Sequence, residues 1–229
     1  MIRLRRLRDI AALLIGVAVA AAAFIDRAAA QSQASPAAAF PKRVAIDILT
    51  EKQTLAPGEV IWIALRERIE PGWHTYWTNP GDSGEPTTVT WRLPPAFEAG
   101  PVLFPIPHAI PVGPLVNYGY SGEVLLLSRL TVPKDAKAGR AEVKVSAEWL
   151  VCKDICIPES GEAKISLQIV AAGTSTPSGP DHARLAAAAA ALPSPAPWPV
   201  RFGITPDSIE LTFAGLMVGG KRSEEHTSE

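Results

Sequence analysis

The sequence predicts an all-β protein: a β-sandwich over residues 44–172, followed from residue 200 by the start of a second, truncated β-domain. Three observations predict it. Short runs rich in β-branched and aromatic residues recur along the chain, punctuated by turn signals such as Pro57-Gly58 and Pro71-Gly72. Proline (22) and glycine (17) are plentiful, which favours short strands over long helices. Hydrophobic residues make up 47% and charged residues 20% of the 229, a globular composition with enough chain to bury a core. The formal net charge of −1 gives no electrostatic basis for binding nucleic acid or an anionic membrane surface.

Each element follows in chain order. Arg3, Arg5, Arg6 and Arg8 precede an apolar run from Ile10 to Ile25 and the small residues Ala28-Ala29-Ala30, a signal-peptide pattern over residues 1–30. The run is at the short edge for a membrane span, which takes about 20 residues, so cleavage is expected over retention as an anchor. Either outcome exports the remainder into a disulfide-permissive compartment. Residues 31–43 form an Ala/Ser/Pro linker. Val44, Ile46 and Ile48 alternate with Ala45, Asp47 and Leu49 as a first strand. Val60 to Ile69, Thr87 to Leu93, Val124 to Val132, Arg140 to Val151 and Ala163 to Val170 complete the sandwich. Residues 173–199 read as a linker with a short Ala-rich helix, His182 to Leu192, which offers little apolar bulk for packing. In residues 200–221, Ile209, Leu211 and Phe213 alternate again, and one strand pair cannot stand alone, so a second β-domain is expected to open there. Residues 222–229 break abruptly from that pattern and read as the translation of a sequencing adapter, with the natural chain expected to continue past Lys221.

The chain holds two cysteines, Cys152 and Cys156, spaced C-x-x-x-C between Trp149 and Glu159. A staple closing so short a loop stabilises a fold by only about 2 kcal/mol on the chain-entropy estimate, against about 3 for a loop of about 15 residues. Staples also tie distant strands, whereas this pair joins neighbours, as exchangeable disulfides do. Strand parity adds to the case. Val143, Val145, Ala147, Trp149 and Val151 are apolar, while Lys144, Ser146 and Glu148 fall between them. A regular strand then puts Cys152 on the polar face, open to another thiol, and the connection through Lys153, Asp154 and Ile155 returns Cys156 opposite it. Lys153 favours a thiolate and Asp154 and Glu159 oppose it, so the order of attack stays open. The expected chemistry is thiol–disulfide exchange with Cys152 and Cys156 as the catalytic pair.

The segment from Trp149 to Glu159 with Gly161 resembles the cysteine segment in the N-terminal domain of the DsbD family of transmembrane thiol:disulfide reductases, in particular its ScsB-like branch. Gly72 to Gly84 (GWHTYWTNPGDSG) and Asn117 to Val124 (NYGYSGEV) are similar to that family as well, in the same order. The resemblance covers about Val44 to Val218. It implies an immunoglobulin-like periplasmic domain, followed in the full-length chain by a membrane-embedded reductase domain with its own cysteine pair. Electrons from cytosolic thioredoxin would reach the N-terminal pair and pass to exported thioredoxin-fold partners such as disulfide isomerases. The ScsB-like branch is similar to a form with two immunoglobulin-like domains, which suits the strand run after Pro199. The resemblance also implies a protein-disulfide reductase located in the periplasm, its full-length form anchored in the inner membrane. In the DsbD branch an aromatic cap shields the cysteines. The matching stretch is Leu115 to Tyr120, where Asn117 stands at the cap phenylalanine's place and Tyr118 or Tyr120 is the candidate shield.

No cofactor or metal site is expected. His74, His108 and His182 share no metal-type spacing and read as solvated loop residues. Trp73, Tyr76 and Trp77 read as core packing before docking surface. Asp82, Glu85 and Glu98 suggest no acid–base pair, and no Gly-rich phosphate loop or Ser-His-Asp signature occurs. Two alternatives stand beside exchange: a copper-delivery protein using the C-x-x-x-C thiolates, which suit Cu(I) but come with a thioredoxin-like α/β fold, and a structural β-module with a stapling disulfide.

Overall fold

The computed structural model describes residues 41–195, 198–206, 208–213, 217–218 and 221–222. The expected signal peptide, most of the first linker and all of the adapter-like tail but Arg222 lie outside the described residues.

The strands are β1 (Val44–Thr50), β2 (Thr54–Leu55), β3 (Val60–Ile69), β4 (Thr75–Gly81), β5 (Thr88–Arg92), β6 (Glu98–Ala99), β7 (His108–Val112), β8 (Leu115–Tyr120), β9 (Glu123–Thr131), β10 (Gly139–Cys152) and β11 (Cys156–Ile169). A helix, α1 (His182–Ala190), and a hairpin of β12 (Val200–Ile204) with β13 (Ile209–Phe213) follow. One sheet has the order β1-β3-β9-β6 and the facing sheet β2-β11-β10-β5. A smaller sheet, β4-β8-β7, lies at one end of β10, where residue 74 bridges to Cys152.

Alternation builds the core. Along β10, Ala141, Val143, Val145, Ala147, Trp149 and Val151 are buried while Glu142, Lys144 and Glu148 stay exposed. They meet Ile61, Ile63 and Leu65 of β3 and Leu126 and Leu130 of β9 in one apolar cluster. β10 and β11 pair without a register break from Gly139↔Ile169 to Cys152↔Cys156. β11 thus starts at Cys156, well before the expected Ala163, because Gly161 and Pro158 in the run are accommodated within the ladder. Gly161 has a packing reason: a Cβ there would meet Ile46 and the Trp149 ring at 2.9–3.0 Å.

Two features depart from expectation. The Ala-rich helix packs despite its small side chains. Leu185 is fully buried against Leu49, Ala64 and Leu127 on the outer face of the first sheet, and Ala188, Ala189 and Leu192 widen that contact. One leucine, with alanines that let the backbone approach closely, is bulk enough. The sheet β4-β8-β7 is the other departure. Pro80, Gly81 and Pro111 are residues that strands disfavour, yet they sit inside strands of this irregular sheet, which shifts register between Tyr76 and Gly81. β12 and β13 form an antiparallel pair from Val200↔Phe213 to Ile204↔Ile209, with Phe202 and Ile204 exposed.

Candidate active site

The long hairpin carries both sulfurs. β10 ends and β11 begins on the paired residues Cys152 and Cys156, and the turn between them is closed by the Lys153 N–H donating to the Ile155 carbonyl. The two cysteines form a disulfide with Cα atoms 4.1 Å apart. Lys153, Asp154, Ile155 and Cys156 are all exposed at this tip.

Cys152 does not share that exposure. It stands at an even-numbered position of β10, as parity predicts, but is only 2% exposed. The residues before β4 cover it. The His74 N–H donates to the Cys152 carbonyl at 2.9 Å and the Cys152 N–H donates to the His74 carbonyl at 3.0 Å. The expectation of an open Cys152 is therefore corrected: the polar face of β10 is roofed at its last residue by a segment far away in sequence.

The roof carries two polar rings. His74 and Tyr76 are two residues apart on an extended segment, so both point the same way. Their rings meet edge to face, centroids 5.1 Å apart. His74 Nε2 lies 3.3 Å from the Tyr76 hydroxyl, which lies 3.8 Å from Cys156 Sγ. A disulfide sulfur has no proton, so Tyr76 donates to it. His74 is buried, not a solvated loop residue, and burial lowers its pKa. Burial likewise raises the Tyr76 pKa, with the Ser83 hydroxyl acting against that rise.

The expected shielding residues sit behind this roof. Asn117 is buried and its Oδ1 accepts from the Ser83 N–H at 3.0 Å and the Ser83 hydroxyl at 3.1 Å. This fixes the Asp82-Ser83-Gly84 loop against Tyr76, where Gly84 lies on the ring. Tyr118 is 39% exposed and packs beside Gly81. Tyr120 belongs to the core cluster and its hydroxyl donates to the Pro105 carbonyl at 2.8 Å. Burial first, and the Glu67 carboxyl second, push its pKa upward.

The charges weighed from sequence are distributed unequally. Glu159 accepts from the Arg43 N–H at 2.7 Å and the Val44 N–H at 3.2 Å, holding the start of β1. Lys153 extends over Gly72. Trp73 and Trp77 pack against the core, as expected. His108 is exposed on β7, and His182 Nδ1 at the start of α1 lies 3.1 Å from Glu51 Oε1. Among the described residues no group of three or more His, Cys, Asp or Glu is arranged to hold a metal ion, and no helix is long and apolar enough to cross a membrane. His74 and Tyr76 are the site residues that sequence reasoning missed. Their same-face spacing was visible, but their pairing with Cys152 is a tertiary fact.

A disulfide at the tip of a long regular hairpin, with one cysteine open and the other roofed, defines a thiol:disulfide exchange domain on an immunoglobulin-like sandwich. The chain belongs to the family of the N-terminal domain of the thiol:disulfide interchange protein DsbD, whose model matches residues 45–167. Among solved structures it is similar to the N-terminal periplasmic domain of ScsB from Proteus mirabilis (20% identity, 74% of this chain and 62% of that one, TM-score 0.47). It is also similar to the DsbD N-terminal domain of Neisseria meningitidis in its reduced form (16% identity, 58% of this chain and 89% of that one, TM-score 0.28). The chain thus spans 62% of the length of the ScsB domain it matches. No curated protein sequence matches it.

Proposed function

We propose that this chain is the periplasmic electron-relay part of a protein-disulfide reductase, with Cys152 and Cys156 as its catalytic pair. The observation that carries the reading is the unequal access of the two cysteines, Cys156 exposed and Cys152 buried. A thiolate of the electron donor, a membrane-embedded reductase domain of the same full-length chain, attacks Cys156 Sγ. The Cys152–Cys156 bond breaks and Cys152 leaves as a thiolate. A second donor thiol attacks the mixed disulfide, so that the donor is oxidised and the pair here takes up two electrons and two protons. In the second half, the Cys156 thiolate attacks the disulfide of an exported thioredoxin-fold partner. Cys152 then attacks Cys156 Sγ, restoring the disulfide and releasing the partner reduced.

Shielding falls to His74 and Tyr76, with Asn117 acting at one remove through Ser83. Tyr118 forms part of the partner-facing rim and Tyr120 supports β8 from the core. Trapping tests the order of attack. The Cys152→Ser chain, with Cys156 free and no resolving thiol, accumulates a mixed disulfide with an exported thioredoxin-fold protein, and Cys156→Ser accumulates little. Equal trapping by both variants would sink the assignment of Cys156 as the exchanging sulfur. Loss of cooperative unfolding in Cys152→Ser, where the disulfide-bonded parent unfolds cooperatively, would favour the stapling alternative.

A further inference from the structure

The contact sequence from Cys156 through Tyr76 to His74 has a direction that the exchange reaction can use. Tyr76 is 1% exposed, His74 is 5% exposed, and their link to the sulfur runs through hydroxyl and ring nitrogen at 3.8 and 3.3 Å. A hydroxyl between two such groups donates to one and accepts from the other, and which way it points depends on whether Nε2 carries a proton.

We propose that His74 is a positioning residue that stores the proton of Cys156 in the reduced protein. Resting on the exchange reading above, the step balances as follows. The Cys156 S–H bond breaks as its proton passes to Tyr76 Oη. The Tyr76 O–H bond breaks as that proton passes to His74 Nε2. The products are a thiolate accepting from the Tyr76 hydroxyl and an imidazolium donating to it, with no net charge created. When Cys156 is reprotonated the two transfers reverse.

Burial makes the device conditional. With the disulfide closed, nothing in the sequence of contacts offsets the cost of a buried charge, and burial disfavours the charged form of His74. With the disulfide open, a thiolate stands at the other end and offsets that cost. The other groups around the relay leave this logic in place. On the turn side, Lys153 reaches over Gly72 and favours the thiolate, while Asp154, exposed in the same turn, opposes it; neither lies between Cys156, Tyr76 and His74. Ser83 approaches Tyr76 from the loop behind it. Glu67 is bonded to Thr75, whose side chain alternates to the opposite side of the strand from His74 and Tyr76.

The test uses the Cys152→Ser chain, in which Cys156 is the sole thiol, and follows its iodoacetamide alkylation rate against pH. Adding Tyr76→Phe, which removes only the hydroxyl, is expected to raise the midpoint by about one pH unit, an about tenfold lower thiolate fraction below it. His74→Gln is expected to produce a shift of the same size, and both together no more than either alone. Superimposable profiles, or additive shifts, would overturn the relay. Ring nitrogen NMR of His74 in the chain without substitutions is the second measurement, independent of whether variants fold. The His74 titration midpoint should be higher in the reduced than in the oxidised chain, and an equal midpoint in both states overturns the proposal. Neither readout needs a protein partner. Failure of partner trapping would count against the exchange reading, and failure of these titrations against the relay alone.

Discussion

The hairpin of β10 and β11 and the small sheet β4-β8-β7 meet at the disulfide but are built on opposite principles. The hairpin keeps one register over its whole length and buries every second residue of β10 among apolar side chains. The small sheet shifts register between Tyr76 and Gly81 and holds buried polar groups, Thr75 and Asn117, that need specific partners. The regular element supplies a fixed platform for two sulfurs. The irregular one supplies the groups that cover and tune them. Regular strands place atoms reliably, because their geometry is over-determined by many equivalent contacts. An irregular sheet offers what a regular ladder lacks: side chains aimed across the barrier between elements.

Substitutions on the two sides should separate these roles. The largest expected loss is in the platform. Trp149→Ala removes a ring that is 4% exposed and fills the space over Gly161, and should destabilise the domain by about 3–5 kcal/mol, read by denaturant unfolding. The whole transition should shift, since Trp149 belongs to the shared core. Gly84→Ala acts on the roof. Its Cβ would lie 2.3 Å from the Tyr76 ring, at a φ of +98° that disfavours any side chain, for an expected loss of about 1–3 kcal/mol. Its signature is local: faster reduction of the disulfide by a small thiol, with far less change in global unfolding than Trp149→Ala. If reduction is no faster, Tyr76 does not limit access to the sulfurs. Asn117→Ala should cost less, about 1 kcal/mol, because Ser83 loses its acceptor but the loop retains the Val116 N–H bond to the Asp82 carboxylate at 2.8 Å. A small rise in reduction rate with Asn117→Ala, in the same direction as Gly84→Ala, would confirm that Asn117 acts through the loop behind Tyr76.

The same contrast explains what was legible in the sequence. The platform could be read, since alternation from Val143 to Val151 is a local signal and a C-x-x-x-C spacing at its end implies a hairpin tip. Even the face of Cys152 followed from parity. Its burial did not, because the covering residue His74 is brought there by pairing across the fold and nothing local encodes that bridge. Turn-forming residues hid β4 and β7, where proline and glycine sit inside irregular strands. The Ala-rich run of the helix promises little apolar bulk, although the single Leu185 suffices once alanines let the helix approach the sheet.

Glu67, on β3 of the sandwich, is bonded to the small sheet through Thr75, and it makes stability sensitive to pH. It occupies an inward position on β3 two residues past Leu65, fully buried, where the pattern calls for an apolar side chain. Thr75 of β4 donates to Oε2 at 2.8 Å and Thr87, ahead of β5, donates to Oε1 at 2.9 Å. No cation accompanies them among the described residues within ion-pairing distance. Burial raises the Glu67 pKa above the ordinary 4.5, and the two hydroxyls oppose that rise without cancelling it. A raised carboxyl binds its proton more tightly folded than unfolded. Its contribution to stability is therefore complete below about 4.5 and is lost as pH climbs through the folded pKa. Asp47 behaves oppositely: hydrogen bonding to Arg66 lowers its pKa, so its contribution is lost only on acidification below the ordinary 3.8. The windows do not overlap. Glu67→Gln should thus remove a decline in stability on the alkaline side, a slope of at most about 1.4 kcal/mol per pH unit for one proton, while leaving acid unfolding unchanged. Parallel stability profiles for the parent and Glu67→Gln above pH 4.5 would show that the junction takes up no proton on folding.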